Sequence, residues 1–160
     1  MHFTDKDRKF LERAIELSRI GMMNGQGGPF GCVIVKDNKI VGEGCNRVTS
    51  SNDPTAHAEV VAIRDACKNL QTYQLNGCDV YASCEPCPMC LGAIYWARPD
   101  RVIYANTKED AASISFDDDF IYNEINTHLT ERKIPFLHLP LGSAMAVFEQ
   151  WKKWEGKKLY

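Results

Sequence analysis

The chain has 160 residues, of which 44% are hydrophobic and 25% are charged. These values are typical of one globular domain with a core large enough to hold a buried site. A formal net charge of −2 argues against binding along a phosphate backbone, so nucleic acid is not an expected partner. No run of about 18 apolar residues is present, which argues against a membrane span. Four lysines near the C-terminus are interpreted as a solvated helix face: Lys152, Lys153, Lys157 and Lys158.

The chain contains seven cysteines. Its first residues, Met1 to Lys6, lack the basic start and apolar run of a secretory signal. We therefore expect a cytoplasmic protein, in which thiols stay reduced. In that setting cysteines are more often metal ligands, catalytic groups or small core residues than disulfide partners.

Hydrophobic periodicity predicts a helix at the start of the chain, followed by a hairpin. Apolar residues recur at helical spacing over 5–23, and a glycine-rich loop follows. Residues 31–36 and 39–45 are predicted to be the hairpin strands, with Asp37 and Asn38 in the turn. The first strand is almost continuously apolar, which indicates burial on both of its faces.

The second half alternates strands with helices. Pro54, after Asp53, is predicted to open a helix that ends near Asn69. The further predicted elements are a strand at 78–83, a tight turn at 84–88, a helix through Ala97, a strand at 101–105, short helices around an acidic loop over 106–131, an edge strand at 134–139 and a last helix over 141–155. This order predicts one α/β domain over 1–160, a three-layer α/β/α sandwich around a mixed five-stranded sheet.

Two short motifs carry the chemistry. His57-Ala58-Glu59 is the first, and Pro86-Cys87-Pro88-Met89-Cys90 is the second. Cys87 and Cys90 are three residues apart at a helix start, where free N–H groups stabilise thiolates. With His57 they form a three-ligand set that leaves one position of a tetrahedral zinc open for water. Zinc lowers the pKa of that water enough to give hydroxide near neutral pH.

Glu59 is the candidate proton carrier. It lies two residues from His57, and two residues of a regular helix turn through about 200°. Both side chains can therefore face one site only if the metal lies beyond the end of the helix. A carboxylate there can take a proton from water and deliver it to the ring nitrogen and the leaving amine.

Other uses of the cysteines stay open at this point. Cys84 lies three residues before Cys87 and could complete a closed, structural zinc site. The Cys-Pro-Met-Cys run also permits a thioredoxin-like redox pair or, with more thiolates, an iron–sulfur cluster. The remaining cysteines are interpreted as small buried hydrophobic residues: Cys32, Cys45, Cys67 and Cys78.

The stretches around the two motifs, 53–59 and 83–94, closely resemble the cytidine deaminase-like superfamily, whose signature is H-x-E followed by P-C-x-x-C. Within it the chain is similar to the small bacterial guanine deaminases. That narrower resemblance rests on residues 27–31, 44–46, 93–96, 116–122 and 158–160.

The resemblance implies hydrolysis of guanine to xanthine and ammonia by zinc-bound hydroxide, with Glu59 as the proton shuttle. It also implies Asp118 as a second catalytic group that contacts the amino group of the base. The residues it assigns to substrate binding are Phe30, Asn46, Ala58, Trp96, Asp118 and Tyr160. It further implies a homodimer in which residues 141–160 are exchanged between subunits.

Structural roles remain open for several of these residues. Asn46 could shape a turn, Trp96 could belong to the core, and Asp117 to Asp119 could form a solvated loop. Three other functions share the zinc motifs: a tRNA adenosine deaminase, a free cytosine or aminotriazine deaminase, and a zinc-stabilised binding module without turnover.

Overall fold

A computed structural model describes residues 3–160 of the chain. The chain forms two compact units, Met1–Asp119 and Phe120–Tyr160. No helix within residues 3–160 is both long enough and apolar enough to cross a membrane. The helices are α1 Asp5–Met23, α2 Val48–Ser51, α3 Ala58–Leu70, α4 Pro88–Ala97, α5 Lys108–Ser113, α6 Asp119–Asn126 and α7 Gly142–Lys153, with one 3₁₀ turn at Leu129–Glu131. The strands are β1 Gly31–Lys36, β2 Lys39–Cys45, β3 Cys78–Cys84 and β4 Arg101–Asn106.

The sheet has the strand order β2-β1-β3-β4. β1 pairs antiparallel with β2 and β3, whereas β3 and β4 are parallel. The mixed α/β sheet is thus confirmed, but it has four strands within the described residues, not five. The expected edge strand at 134–139 is wrong: this stretch is irregular and exposed. Pro135 cannot donate to a ladder, and β-branched Ile134 alone does not offset that loss.

β1 supplies side chains to two separate cores, one on each face of the sheet. Cys32 and Ile34 pack with Ala62 of α3. Val33 and Val35 point the other way and pack with Phe10 of α1. This alternation, with period two, explains the continuous apolar run and confirms helices on both faces of the sheet.

Glycines in β2 allow α3 to lie almost on the sheet. A Cβ at Gly44 would stand 2.3 Å from the carbonyl oxygen of Ala58. A Cβ at Gly42 would stand 2.6 Å from both the Ala62 carbonyl and the Ala66 amide nitrogen. Both contacts are with the backbone of α3, which cannot move aside as a flexible side chain can. Any larger residue at Gly44 would therefore displace the first turn of α3, which follows His57.

The helix predicted from Pro54 begins only at Ala58. The Asp53 side chain accepts hydrogen bonds from the Thr55 backbone N–H at 2.8 Å and from the Thr55 hydroxyl at 2.7 Å. This local turn competes with helix formation and uses the carboxylate that was expected to start the helix. As a result His57 is the N-cap of α3, with extended φ −69° and ψ 155°.

Asp7 ties the first helix to the sheet although it is buried. Its carboxylate accepts hydrogen bonds from the Thr4 backbone N–H at 2.8 Å, from the Tyr81 hydroxyl at 2.7 Å and from Arg101 Nη2 at 2.8 Å. The bonds from Thr4 and Tyr81, and the Arg101 charge, hold the pKa of Asp7 well below its usual range.

We expect Asp7→Asn to lower the free energy of unfolding at pH 7 by about 2 kcal/mol, because it removes the charge that these donors stabilise. The folded-state pKa of Asp7 is depressed, so its contribution is complete above the unfolded pKa of about 3.9 and is lost as pH falls towards the folded pKa. Urea unfolding at pH 7 and pH 3 checks this. Asp5→Asn, in the same helix turn but exposed, is the matched control and should change little at either pH. Equal losses for the two variants would contradict this role of Asp7.

Candidate metal centre and active site

The starts of α3 and α4 bring the two sequence motifs together. His57 is the N-cap of α3 and Cys87 is the N-cap of α4, and neither side chain caps its own helix. Pro88 occupies the first turn of α4, where its missing N–H costs no helical bond. Both side chains are therefore available to a ligand in front of the helix ends.

The three expected metal ligands form one cluster. His57 Nδ1 lies 3.5 Å from Cys87 Sγ and 3.5 Å from Cys90 Sγ, and the three ligand atoms lie within 4.8 Å of one another. With a Zn–S bond of about 2.3 Å and a Zn–N bond of about 2.05 Å, a tetrahedral zinc separates sulfur and nitrogen by roughly 3.6 Å. The two sulfur–nitrogen separations therefore fit a tetrahedral zinc.

The electrostatics of the cluster also suit a cation. A hydrogen bond from Cys90, together with His57, lowers the pKa of Cys87 to about 4 against the opposing effect of burial. The pair therefore shares a proton, with negative charge favoured on Cys87. The hydrogen bond to Cys87 and burial raise the pKa of Cys90. Bound zinc replaces the shared proton, as metal binding to thiols generally releases protons.

Glu59 lies at the edge of this cluster. It is buried, with 8% of its surface exposed, and its Oε2 atom lies 3.3 Å from Cys90 Sγ. Burial raises the pKa of Glu59, which favours a group that both takes up and releases protons. Because His57 precedes the first helical residue, His57 and Glu59 both reach Cys90 despite their two-residue spacing.

Cys84 lies apart from the ligand cluster. Its thiol donates to the Thr107 carbonyl oxygen at 3.4 Å, and burial raises its pKa to about 11. Within residues 3–160 the groups of three or more metal-binding side chains are the His57 cluster and the run of Asp117 to Asp119, whose two outer residues are exposed. The geometry thus favours a three-ligand site over a closed one that includes Cys84.

The expected substrate-binding residues fall in different places. Asn46 is buried at the end of β2, and Ala58 is buried in the first turn of α3. Asp118 is half-buried. Its pKa is raised by burial and by the negative charge of Cys87, which places it within electrostatic range of the cluster. Trp96 is 65% exposed on α4, so it is not a core residue.

Phe30 and Tyr160 complete the expected set. Phe30 is half-buried and makes an edge-to-face contact with Phe116, with ring centroids 5.0 Å apart and an interplanar angle of 88°. Tyr160 lies in the second unit and is 71% exposed. Phe116 had no assigned role in the sequence. The signal for it was its place at the start of the stretch 116–122, which resembles the guanine deaminases.

Comparison with known proteins identifies the family to which the chain belongs. The model of the cytidine and deoxycytidylate deaminase zinc-binding region matches residues 4–106. The chain belongs to this zinc-dependent deaminase family. Zinc is therefore its cofactor, and the resemblance seen in the motifs is confirmed.

Individual relatives cover almost the whole chain. Guanine deaminase of Bacillus subtilis is 58% identical over 94% of this chain and 97% of its own length. The crystal structure of guanine deaminase from Bacillus subtilis covers 96% of this chain and 98% of that chain, with a TM-score of 0.94 and 57% identity. A tRNA-specific adenosine deaminase of Aquifex aeolicus is 32% identical over 90% of this chain and 92% of its own length.

Metal content distinguishes the three-ligand site from the closed one. We expect Cys87→Ser and His57→Ala to lose most of the bound zinc, because each removes one of three protein ligands. Cys84→Ser should keep about one zinc per chain, because its hydroxyl can still donate to Thr107. Zinc loss from Cys84→Ser, measured by atomic absorption on purified protein, would show that Cys84 is a ligand.

Proposed function

We propose that the protein hydrolyses guanine to xanthine and ammonia, with His57, Cys87 and Cys90 as its zinc ligands. The observation that carries the catalytic part is the buried Glu59 carboxylate 3.3 Å from Cys90 Sγ. A structural zinc site has no use for such a group, whereas a hydrolytic site needs one. The choice of guanine is supported by the near full-length similarity to the Bacillus subtilis guanine deaminase.

The chain's own groups divide the reaction between them. When bound, zinc lowers the pKa of a water in its open position. Glu59 takes a proton from this water, whose oxygen forms a bond to C2 of guanine. Glu59 passes this proton to the ring nitrogen, then takes the remaining proton from the new C2 hydroxyl and passes it to the departing amine. The C2–N bond breaks, and ammonia and xanthine leave.

The base is held by groups at the mouth of the site. Asn46 hydrogen-bonds the purine edge, and Phe30, Ala58 and Trp96 contact its faces and rim. Asp118 accepts from the amino group and serves as a second proton carrier. Burial and the negative charge of Cys87 raise the pKa of Asp118, and a raised pKa favours uptake of a proton by a carboxylate.

Ammonia release from guanine, adenine, cytosine, ammeline and adenosine-bearing tRNA tests the substrate. We expect guanine to be turned over, and Glu59→Ala to lower kcat by about 10²–10⁴-fold while zinc content stays unchanged. Glu85→Ala changes a nearby acidic residue that accepts from the Lys108 backbone N–H and should retain activity. If tRNA or cytosine were turned over and guanine were not, the metal site would still be supported but guanine would not be the substrate. Zinc binding without any turnover would favour a binding module.

We propose further that the protein is a cytoplasmic homodimer in which residues 141–160 are exchanged between subunits. None of the residues Phe120–Tyr160, all of which the structure describes, is buried. The exposed apolar side chains of this unit include Leu137, Phe148 and Trp154, at 92%, 65% and 56% exposure. A unit with many large apolar side chains exposed and none buried is typical of a surface that a partner covers, which supports a second subunit. The seven free cysteines support a reducing compartment.

Mixing two inactive variants tests the exchange. If Tyr160 of one subunit completes the site of the other, Glu59→Ala and Tyr160→Ala are each impaired. Their mixed dimers then regain one complete site. Random reassociation of equal amounts should restore about a quarter of wild-type activity, because half of the dimers are mixed. Light scattering should give a dimer mass for each variant. Activity that does not exceed the average of the unmixed samples would show that Tyr160 does not act across subunits.

A further inference from the structure

The side chain of Asn46 is held in one orientation by the backbone. Its Oδ1 atom accepts hydrogen bonds from the Gly28 N–H at 3.3 Å and from the Val48 N–H at 3.2 Å. Only an oxygen can face two N–H donors, so the amide cannot be flipped without losing both bonds. Asn46 is 5% exposed, which makes that loss costly.

Gly27 lies beside the Oδ1 atom of Asn46. A Cβ at Gly27 would stand 2.1 Å from Asn46 Oδ1 and 2.8 Å from the Asn46 carbonyl oxygen. Among the described glycines, those with positive φ are Gly25 and Gly77. The backbone of Gly27 would therefore accept an L-residue, and it is the space beside Asn46 that excludes one.

The Nδ2 group of Asn46 remains as a donor. Within residues 3–160 this nitrogen makes no hydrogen bond. Every fully buried side-chain nitrogen or oxygen of these residues has a hydrogen-bond partner, so Nδ2 is not fully buried. Nδ2 therefore faces space that a solvent or ligand atom can enter.

The position of Asn46 joins the base-binding residues to the metal cluster. Its backbone N–H donates to the Phe30 carbonyl at 2.9 Å, and the next N–H, of Arg47, donates to the Ala56 carbonyl at 2.9 Å. Ala56 directly precedes His57. A displacement of Asn46 would therefore also displace Phe30 and the segment that carries His57.

We propose that Gly27 is a positioning residue for substrate recognition, because it and the N–H groups of Gly28 and Val48 fix the Asn46 amide with Nδ2 as the outward donor. This inference rests on the proposed action on a base. It predicts that the pocket selects a base carrying an acceptor atom opposite Nδ2, because a base lacking that acceptor leaves a buried donor unpaired.

Asn46→Asp separates recognition from folding. The carboxylate keeps the size of the amide and still accepts from Gly28 and Val48, but it no longer donates. We expect its Tm to stay within about 3 °C of wild type, whereas Asn46→Leu, which cannot accept, should melt about 5 °C or more lower. This comparison needs no substrate, so it tests the orientation even if guanine is not the base. Equal destabilisation of the two variants would overturn the orientation.

The same variant should lose recognition. We expect Asn46→Asp to lower kcat/KM for guanine about 100-fold, mainly through KM. In a Glu59→Ala background, where guanine is not consumed, calorimetry should show a comparable loss of guanine affinity. Unchanged binding with retained stability would remove the donor role while leaving the zinc chemistry intact.

Gly27→Ala tests the positioning residue itself. We expect it to raise KM for guanine at least about 10-fold with zinc content retained, because the added methyl group displaces Oδ1. In Asn46→Ala the amide is absent and the methyl group still meets the residue 46 carbonyl oxygen at 2.8 Å, so the further effect of Gly27→Ala on KM should be smaller than in the wild type but not zero. Gly92→Ala, where a Cβ meets nothing within 4 Å, is the matched control. A KM for Gly27→Ala like that of Gly92→Ala would overturn the assignment.

Base analogues identify the acceptor. The compounds 2-aminopurine, 7-deazaguanine and 3-deazaguanine each lack one acceptor of guanine, at the 6-oxo, N7 and N3 positions. The analogue that lacks the acceptor paired with Nδ2 should bind the wild type more weakly than guanine does. Asn46→Asp, which has already lost the donor, should bind this analogue no more weakly than it binds guanine. Fully additive losses for all three analogues would show that Nδ2 contacts none of these acceptors and would refute the proposal.

Discussion

The site depends on two helix N-termini that meet in front of a sheet. In α1 and α5 the N-cap is a threonine whose side chain accepts a hydrogen bond from the helix's own first turn, at Thr4 and Thr107. In α3 and α4 the N-caps are His57 and Cys87, and neither makes such a bond. The N-cap side chains of these two helices therefore stay available to a ligand, and the positive ends of the helices favour negative charge on the thiols beside them.

Close packing turns this local chemistry into a fixed geometry. Ala58, Ala62 and Ala66 form a small-residue face of α3, and this face lies against Gly42 and Gly44 of β2. Side chains larger than these would separate helix from strand and move His57 away from the sheet. Thus the three-atom cluster, with its separations of 3.5 Å, depends on residues that have almost no side chain.

The sequence predicted those parts of the structure that local signals determine. The period of two in β1, the helical period in α1 and the i, i+3 cysteines each act over a few residues, and each element lies where it was expected. The start of α3 was wrong because an Asp53–Thr55 turn competes with the helix, and such competition depends on side-chain bonds that a pattern does not reveal. The extra strand at 134–139 was wrong because its apolar residues indicated a strand, although Pro135 cannot donate to a ladder. Gly27 and Phe116 lay in stretches that resemble the guanine deaminases but received no individual role, since their contacts with Asn46 and Phe30 join segments distant in sequence.

The residues for the shared zinc chemistry and some of those proposed to select the substrate lie in different parts of the sequence. The family-wide region ends at residue 106, so it contains the zinc cluster and Glu59 but not Asp118 or Tyr160. Relatives with different stated substrates, guanine and tRNA adenosine, share this region. The helix N-termini define the metal geometry whatever the substrate, because their positions are set by the buried core. Of the residues proposed to touch the base, Asp118 and Tyr160 lie beyond this region, whereas Ala58 and Trp96 lie on the two helices that carry the cluster. Asn46 stands between the two groups: it is held by backbone donors of a loop, yet its neighbour Arg47 is bonded to the segment that leads into His57.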